Sequence, residues 1–308
     1  MDATHAELLI EKRRTLPDED VRGSFIVLTM GIVVEALQIA AAHEGAAIEV
    51  TLRHDLAWYG AANLRAQPDV LLPFAELALR PALDARPELP LALFAMRRTS
   101  RLPYSPEPVS AAACAQLAVV ATAGGQRYAQ THDRDIIEQL LALNTEAVFA
   151  DLNHAPYRNE MGGWLRYSEA HAQRTRDGLD TRCMNVAPLE LWAAFHASPM
   201  LRWPGLGAWF RKRYRDQIGP VATMGFLCGR FWDPADAYPA GRALMRFWLE
   251  CTRLGLSLHP YGNLVTHRPV AERAEAAAGL SDVWLAFKIG RSPEAPASRR
   301  RTLEETLA

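Results

Sequence analysis

Arginine and hydroxyl side chains crowd into one short stretch of this chain, Arg97-Arg98-Thr99-Ser100-Arg101. Guanidinium forks match the oxygens of a phosphate or another compact anion in two-point hydrogen bonds, and the hydroxyls add further donors. Chemistry alone favours a plainer reading, an exposed basic helix end helped by the helix dipole. A second stretch, Gly255-Leu256-Ser257-Leu258-His259-Pro260-Tyr261-Gly262, closes a helix at Gly255, runs on as a short strand and turns at Pro260 and Gly262. Glycine at 262 leaves room for a ligand to come close to the backbone. An ordinary helix C-cap and turn would use the same residues. A third stretch lies near the end: Ile289-Gly290-Arg291, then Pro293 and Pro296, then Arg299-Arg300-Arg301-Thr302-Leu303-Glu304-Glu305. A basic tail by itself is usually a solvated end.

These stretches need elements to position them. The apolar run from Ile26 to Ala42, with Gly31 inside it and Gly45 after it, reads as a buried helix with a glycine stop. Alternation over 47–52 and the run 72–79 predict two strands. The segment 80–90, with Pro81, Pro87 and Pro90, reads as a linker. A short helix over 91–96 delivers the arginine cluster, and helices are expected over 109–120, 133–151 and 159–172. Residues 1–22 are polar and suggest no element. Residues 173–220 read as irregular, with Pro188, Pro199 and Pro204 among them, and their tryptophans 192, 203 and 209 are expected in the core. The basic run Arg211–Arg215 reads as a solvated helix face. A strand over 220–228, a helix over 239–254 and a strand over 283–289 complete the order.

A repeat runs through this order. Gly31 and Gly45 frame thirteen residues, as do Gly241 and Gly255, at an offset of 210. The same offset carries the strand around 74–79 onto 284–289. Two helices and two strands thus keep one spacing.

Composition excludes several classes. The 308 residues include 34 basic and 35 acidic side chains, a formal net charge of −1, which argues against a large nucleic-acid surface. Only Lys12, Lys212 and Lys288 are lysines, so no argument can lean on a single arginine. Cys114, Cys183, Cys228 and Cys251 are scattered, as reduced thiols of a cytoplasmic protein would be, and show no metal-ligand spacing. The start shows no secretory h-region, and no apolar run is expected to reach the roughly 18 residues that span a bilayer. Phosphate-loop, dinucleotide, HExxH and GxSxG motifs are absent.

The three stretches together resemble the nitroreductase family. Arg97–Arg101 is similar to its opening motif: arginine, a basic residue, serine or threonine, any residue, then arginine or lysine. The resemblance implies that Arg97 and Thr99 hold the phosphate and ribityl side of flavin mononucleotide (FMN). It places Arg101 near the pyrimidine carbonyl and Arg98 at the periphery. Pro260, Tyr261 and Gly262 correspond to the segment whose backbone N–H faces flavin N5, with Tyr261 where the family often has an acid. Arg299, Arg300 and Arg301 correspond to the basic cluster that reaches the FMN phosphate. Met161-Gly-Gly-Trp164-Leu-Arg166-Tyr-Ser-Glu169 resembles a stretch of the Acg-like subgroup, in which two halves are fused and one chain mimics the usual dimer.

The resemblance, over roughly 20–308, implies an α+β, nitroreductase-like fold with two pseudo-symmetric halves and a mixed, mainly antiparallel sheet. It divides the chain into a truncated first half, 1–90, and a second half, 91–308, that carries the FMN motifs, with 173–220 as a lid. The activity implied is an FMN-dependent oxidoreductase that passes hydride from NADH or NADPH through flavin N5 to a small organic acceptor. No side chain would be catalytic and no metal would take part. The alternative is a protein that binds and sequesters FMN without turnover. Expected partners are small molecules, with neither nucleic acid nor membrane, in a monomer that mimics a dimer or in a homodimer. The subgroup's segment with alanine, proline and serine, then asparagine, glutamine, proline and tryptophan, closes the pocket from the other half. It is not found in this sequence, so weak FMN retention or leakage to oxygen is expected unless 173–220 or a second chain covers the site.

Overall fold

The computed structural model describes residues 4–82, 84 and 86–307. Positions 1–3, 83, 85 and 308, which touch the expectations for the polar start, the linker and the tail, lie outside the described residues. In chain order the elements begin with β1 (His5–Glu11), α1 (Ser24–His43), β2 (Ala46–Leu52), α2 (Ala61–Ala66), β3 (Leu71–Pro81) and α3 (Ala92–Met96). Next come α4 (Ala111–Ala123), β4 (Arg127–Thr131), α5 (Arg134–Asn153), α6 (Ala155–Gly162), β5 (Leu165–Arg166), α7 (Glu169–Thr175) and β6 (Leu179–Asp180). Then follow α8 (Thr181–Met184), α9 (Pro188–His196), α10 (Pro204–Ile218), β7 (Met224–Cys228) and α11 (Pro234–Arg253). The last are β8 (Ser257–Pro260), α12 (Asn263–Thr266), α13 (Arg268–Ala278) and β9 (Val283–Gly290). The class is α+β.

The chain forms two compact units, each discontinuous. One comprises Met1–Arg97, Ala115–Tyr128 and Leu227–Leu254; the other comprises Arg98–Cys114, Ala129–Phe226 and Gly255–Ala308. In the first unit a three-stranded sheet runs in the order β1-β3-β2, antiparallel throughout, and α1 packs along α11. Their crossing depends on two glycines. A Cβ on Gly31 would lie 2.2 Å from the Tyr238 carbonyl oxygen, and one on Gly241 would lie 2.1 Å from that of Leu28. Any side chain there would drive the backbones apart. Positions 31 and 241, like 28 and 238, are 210 apart, so the contact is reciprocal, as at a two-fold interface.

The offset of 210 holds well beyond the crossing. Both α1 and α11 have 20 residues, and each is followed by a glycine in the left-handed region, Gly45 at φ 65° and Gly255 at φ 69°. In the first hairpin Ala47 pairs with Arg80, Ile48 with Leu79, Glu49 with Ala78 and Val50 with Leu77. In the second, Ser257 pairs with Gly290, Leu258 with Ile289, His259 with Lys288 and Pro260 with Phe287. Each pair of the second is a pair of the first moved by 210, and short helices fill the connection both times.

A four-stranded sheet runs in the order β4-β7-β9-β8, and β8 and β9 belong to the second unit. Every residue of β9 is buried. Gly225 lies under Phe287, where a Cβ would be 2.4 Å from the ring. Phe149 and Leu152 of α5 form a core cluster with Leu201, joined by Phe195, Phe210 and Tyr214.

Several expectations are corrected. Residues 173–220 are largely helical, since Pro188 and Pro204 occupy first-turn positions of α9 and α10, where a missing N–H costs nothing. The tryptophans of that segment are exposed, because Leu191, Leu201 and Phe210 face inward instead. Its basic run does form a solvated helix face at Arg211–Arg213, where Lys212 pairs with Asp216 and Arg213 with Glu190, while Arg215 pairs with Glu138. The polar start contains β1, whose ladder with β3 needs little apolar content on its exposed face. The helix expected over 159–172 breaks at 163–168, where buried Arg166 donates to Asp177 at 2.7 Å and to the Gly163 carbonyl at 2.8 Å. The helix α11 begins before Pro239, which it absorbs, and β7 begins at Met224. Finally, α1 is by length and composition apolar enough to cross a bilayer. Here its buried Glu35 pairs with Arg242 at 2.7 Å and with Arg246.

Candidate functional site

The candidate site grows from the edge of the second unit's sheet. Helix α3 ends at Met96, and Arg97 turns extended at φ −60° and ψ 119°. Thr99 then forms a parallel bridge to Leu258, so the arginine cluster lies alongside β8. Ser100 is fully buried. Its hydroxyl is 2.9 Å from that of Ser292, which is 2.9 Å from that of Ser257. Three serines thereby join the cluster, the start of β8 and the chain after β9. The Tyr104 hydroxyl donates to the Ser100 carbonyl at 3.1 Å.

Two cations stand behind this edge. Lys288 of β9 is completely buried. Its ammonium donates to the carbonyls of Leu102 and Ile218, both at 3.1 Å, and lies 4.3 Å from the centre of the Tyr104 ring. The Arg101 guanidinium donates to the Cys183 carbonyl at 3.2 Å, and Asn185 donates to the Arg101 carbonyl at 3.3 Å. Among the described residues, neither cation has a carboxylate within ion-pair distance. Burial, reinforced by the Arg101 charge, pulls Lys288 down from 10.5 to about 8. Burial also lowers Arg101, and burial together with Arg101 and Lys288 keeps His259 well below its ordinary value, hence neutral.

Buried polar atoms without partners complete the arrangement. Among the described residues, His259 Nδ1 and the Tyr261 hydroxyl find no hydrogen-bond partner, and their rings are 5.0 Å apart. Each such atom costs about 1–3 kcal/mol, and an unpaired buried cation costs more. Two cations without a counter-charge, beside an orphaned acceptor or donor on two rings, make a place for a polar, electron-rich guest. Nearby, a groove of about 500 Å3 opens between Pro103, the 181–187 segment and α10, with Asn185 in its wall.

The sequence-predicted residues divide. Thr99, Arg101, Pro260 and Tyr261 gather around β8: Pro260 pairs with Phe287, and the Tyr261 N–H donates to the Ala286 carbonyl at 2.7 Å. Gly262 caps α12 with ordinary helical angles, φ −53° and ψ −43°, and open space beside it. The expected turn is therefore a strand-to-helix junction, because the ladder continues through Tyr261. Arg98 is half-buried. Arg97 belongs to the first unit, where its guanidinium lies 4.7 Å over the Trp248 ring. In the tail, Arg299 pairs with Glu169, Arg300 is exposed and Arg301 is half-buried. Lys288 and His259 were not singled out from sequence. The signal for Lys288 was present: one of three lysines stands inside the apolar run Val283–Gly290.

No protein-family model matches the chain, and no curated protein matches it. Solved structures do. An FMN- and NADPH-dependent nitroreductase from Sphigopyxis sp. strain HMH aligns at 19% identity and a TM-score of 0.40, covering 70% of this chain and 96% of its own. An FMN-dependent nitroreductase from Mycobacterium smegmatis, in complex with NADPH, aligns at 15% identity and a TM-score of 0.40, with 70% and 95% covered. A nitroreductase with bound FMN from Desulfitobacterium hafniense DCB-2 aligns at 11% identity and a TM-score of 0.42, with 71% and 96% covered.

Proposed function

We propose that this chain is an FMN-dependent oxidoreductase of nitroreductase type, built from two fused copies of one structural unit, acting on a small organic acceptor with NADH or NADPH as donor. The fused-copy reading is supported by the register that repeats at 210 residues and by the reciprocal glycine contact. On this reading 1–90 belongs to a truncated first half and 91–308 to the half with the FMN motifs, with 173–220 as its cover. The flavin reading is carried by one observation: half-buried Arg101 and fully buried Lys288 have, among the described residues, no carboxylate partner, next to the strand β8 that carries His259 and the Thr99 bridge.

The residues present fit FMN at its pyrimidine end. FMN, when bound, supplies hydride acceptance and donation. Arg101 and Lys288 supply positive charge where a reduced flavin is electron-rich. Lys288 holds its proton on Nζ at neutral pH, since its value is about 8. His259 Nδ1 and the Tyr261 hydroxyl offer the hydrogen bonds that this chain leaves unmade. Thr99 lies at the same edge for the ribityl side, and open space at Gly262 admits a close approach to the backbone. For the phosphate we assign Arg98, Arg299, Arg300 and Arg301; Arg299, already paired with Glu169, would contribute least, which favours a weak grip at that end.

The test is an absorption spectrum of freshly purified protein with and without added FMN, followed by NADH and NADPH consumption under air and under nitrogen. A bound flavin band with nicotinamide turnover is expected. A bound band without turnover would leave a sequestering protein, and no band at any FMN concentration would remove the flavin reading.

A further inference from the structure

The segment 188–218 has two apolar sides. Its inner side packs into the second unit: Leu191 and Phe195 of α9, Leu201, and Phe210 and Tyr214 of α10. Its outer side faces water with residues that ordinarily avoid it. Leu189 and Trp192, three apart, share a face of α9; Met200 and Trp203, also three apart, close the short 3-10 turn Ser198–Arg202 that follows; and Trp209 stands one turn before Arg213 on α10. The three tryptophans are 46, 62 and 52% exposed. Scattered exposed leucines are normal, but several large apolar side chains on one short segment mark a contact surface.

The kind of contact follows from residue type and charge. Tryptophan is the side chain that prefers the boundary between water and hydrocarbon, where its ring is apolar and its N–H stays wet. The same segment carries Arg202, Arg211, Lys212, Arg213 and Arg215 against only Glu190 and Asp216. A chain with a net charge of −1 thus concentrates positive charge beside its exposed tryptophans. Arg202, Arg211, Lys212 and Arg213 are exposed, and the Arg211 guanidinium lies 4.9 Å from the centre of the Phe149 ring. Exposed indoles flanked by arginine and lysine are the composition of a surface that lies on an anionic bilayer.

We propose that the outer side of 188–213 docks peripherally on anionic phospholipid, with Trp192, Trp203 and Trp209 in the interfacial layer and Arg202, Arg211 and Lys212 against the headgroups. The overall charge balance does not describe this face.

The experiment is flotation of the full-length protein with vesicles of phosphatidylcholine alone and of phosphatidylcholine with phosphatidylglycerol, at low and high salt, with tryptophan emission followed in parallel. The expected result is co-flotation with the anionic vesicles only, a blue shift on binding, and weakening by salt. Arg211→Glu with Lys212→Glu should weaken binding by about tenfold or more, and Trp203→Ser with Trp209→Ser should reduce the blue shift to the share that Trp192 contributes. Circular dichroism of each variant guards against misfolding. Absence of flotation with either vesicle would overturn the proposal. So would flotation unchanged in both double variants, or a blue shift that follows protein concentration without lipid, which would assign the face to a second copy of this chain.

Discussion

The two hairpins, β2/β3 and β8/β9, share one register and differ in what they carry. At the position of Ala78 in the first stands Lys288 in the second, and at the position of Glu49 stands His259. The first hairpin is half-exposed: Glu49 pairs across the strands with Arg80 at 3.0 Å, both in water. In the second, β9 is buried along its whole length, and its lysine meets two carbonyls and the Tyr104 ring, with no carboxylate partner among the described residues. The same backbone plan therefore serves as a solvated sheet edge once and as the wall of a polar interior once. The two hairpins share a register but buried charge stands in the second alone, so on the proposed reading a single ligand per chain is expected.

The largest effect should come from what the two regions share. Gly31→Ala and Gly241→Ala each put a Cβ against a carbonyl of the opposite helix, and each should destabilise by about 2–4 kcal/mol in denaturant unfolding. Similar losses sharpen the comparison, whereas a tolerated substitution at one of the two would break it.

The next effect separates the copies. The folded value of Lys288 is about 8, below its ordinary 10.5. Below pH 8 both folded and unfolded chains hold the proton, and the full penalty of burying the charge is present. Between pH 8 and 10.5 the unfolded chain keeps the proton that the folded chain releases, so stability contributed by this group rises with pH. The rise is on the order of 3 kcal/mol at most. Unfolding of wild type and Lys288→Met across that window should show it in the wild type alone, and parallel curves would mean that Lys288 is not buried as a cation.

A smaller effect is expected at the helix stops. Gly45→Ala and Gly255→Ala meet no atom within 4 Å but force alanine into the left-handed region. Each should cost about 1 kcal/mol in thermal or chemical unfolding, equal for both copies. Smallest of all, Arg299→Ala should change FMN affinity by less than about threefold, because Glu169 already neutralises that guanidinium. A tenfold loss would show that Arg299 leaves Glu169 for the phosphate.

Much of this was legible in the sequence where one local rule dominates. Gly31, Gly45, Gly241 and Gly255 marked the repeat because positive φ and close helix contact both demand glycine. The strands near 74–79 and 284–289 followed from their apolar runs. The helices of 173–220 were hidden by prolines that start helices as readily as they break them. The strand β1 was hidden by polar residues that sit on an exposed face. At the site, the Arg97–Arg101 cluster was visible as a set, but adjacency in sequence does not tell that Arg97 stacks on Trp248 while Arg101 turns to Cys183. Burial separates such neighbours, and burial is a property of the packed chain.

The most direct measurement is FMN titration of wild type, Arg101→Met, Lys288→Met and, as the first-hairpin counterpart, Glu49→Gln, with stoichiometry read from the flavin spectrum. Charge-assisted contacts are worth about 1.5–3 kcal/mol, so Arg101→Met and Lys288→Met should each weaken binding by about tenfold or more. Glu49→Gln should bind one FMN per chain with wild-type affinity. Equal affinity in all four proteins, or no FMN bound by the wild type, would contradict the account.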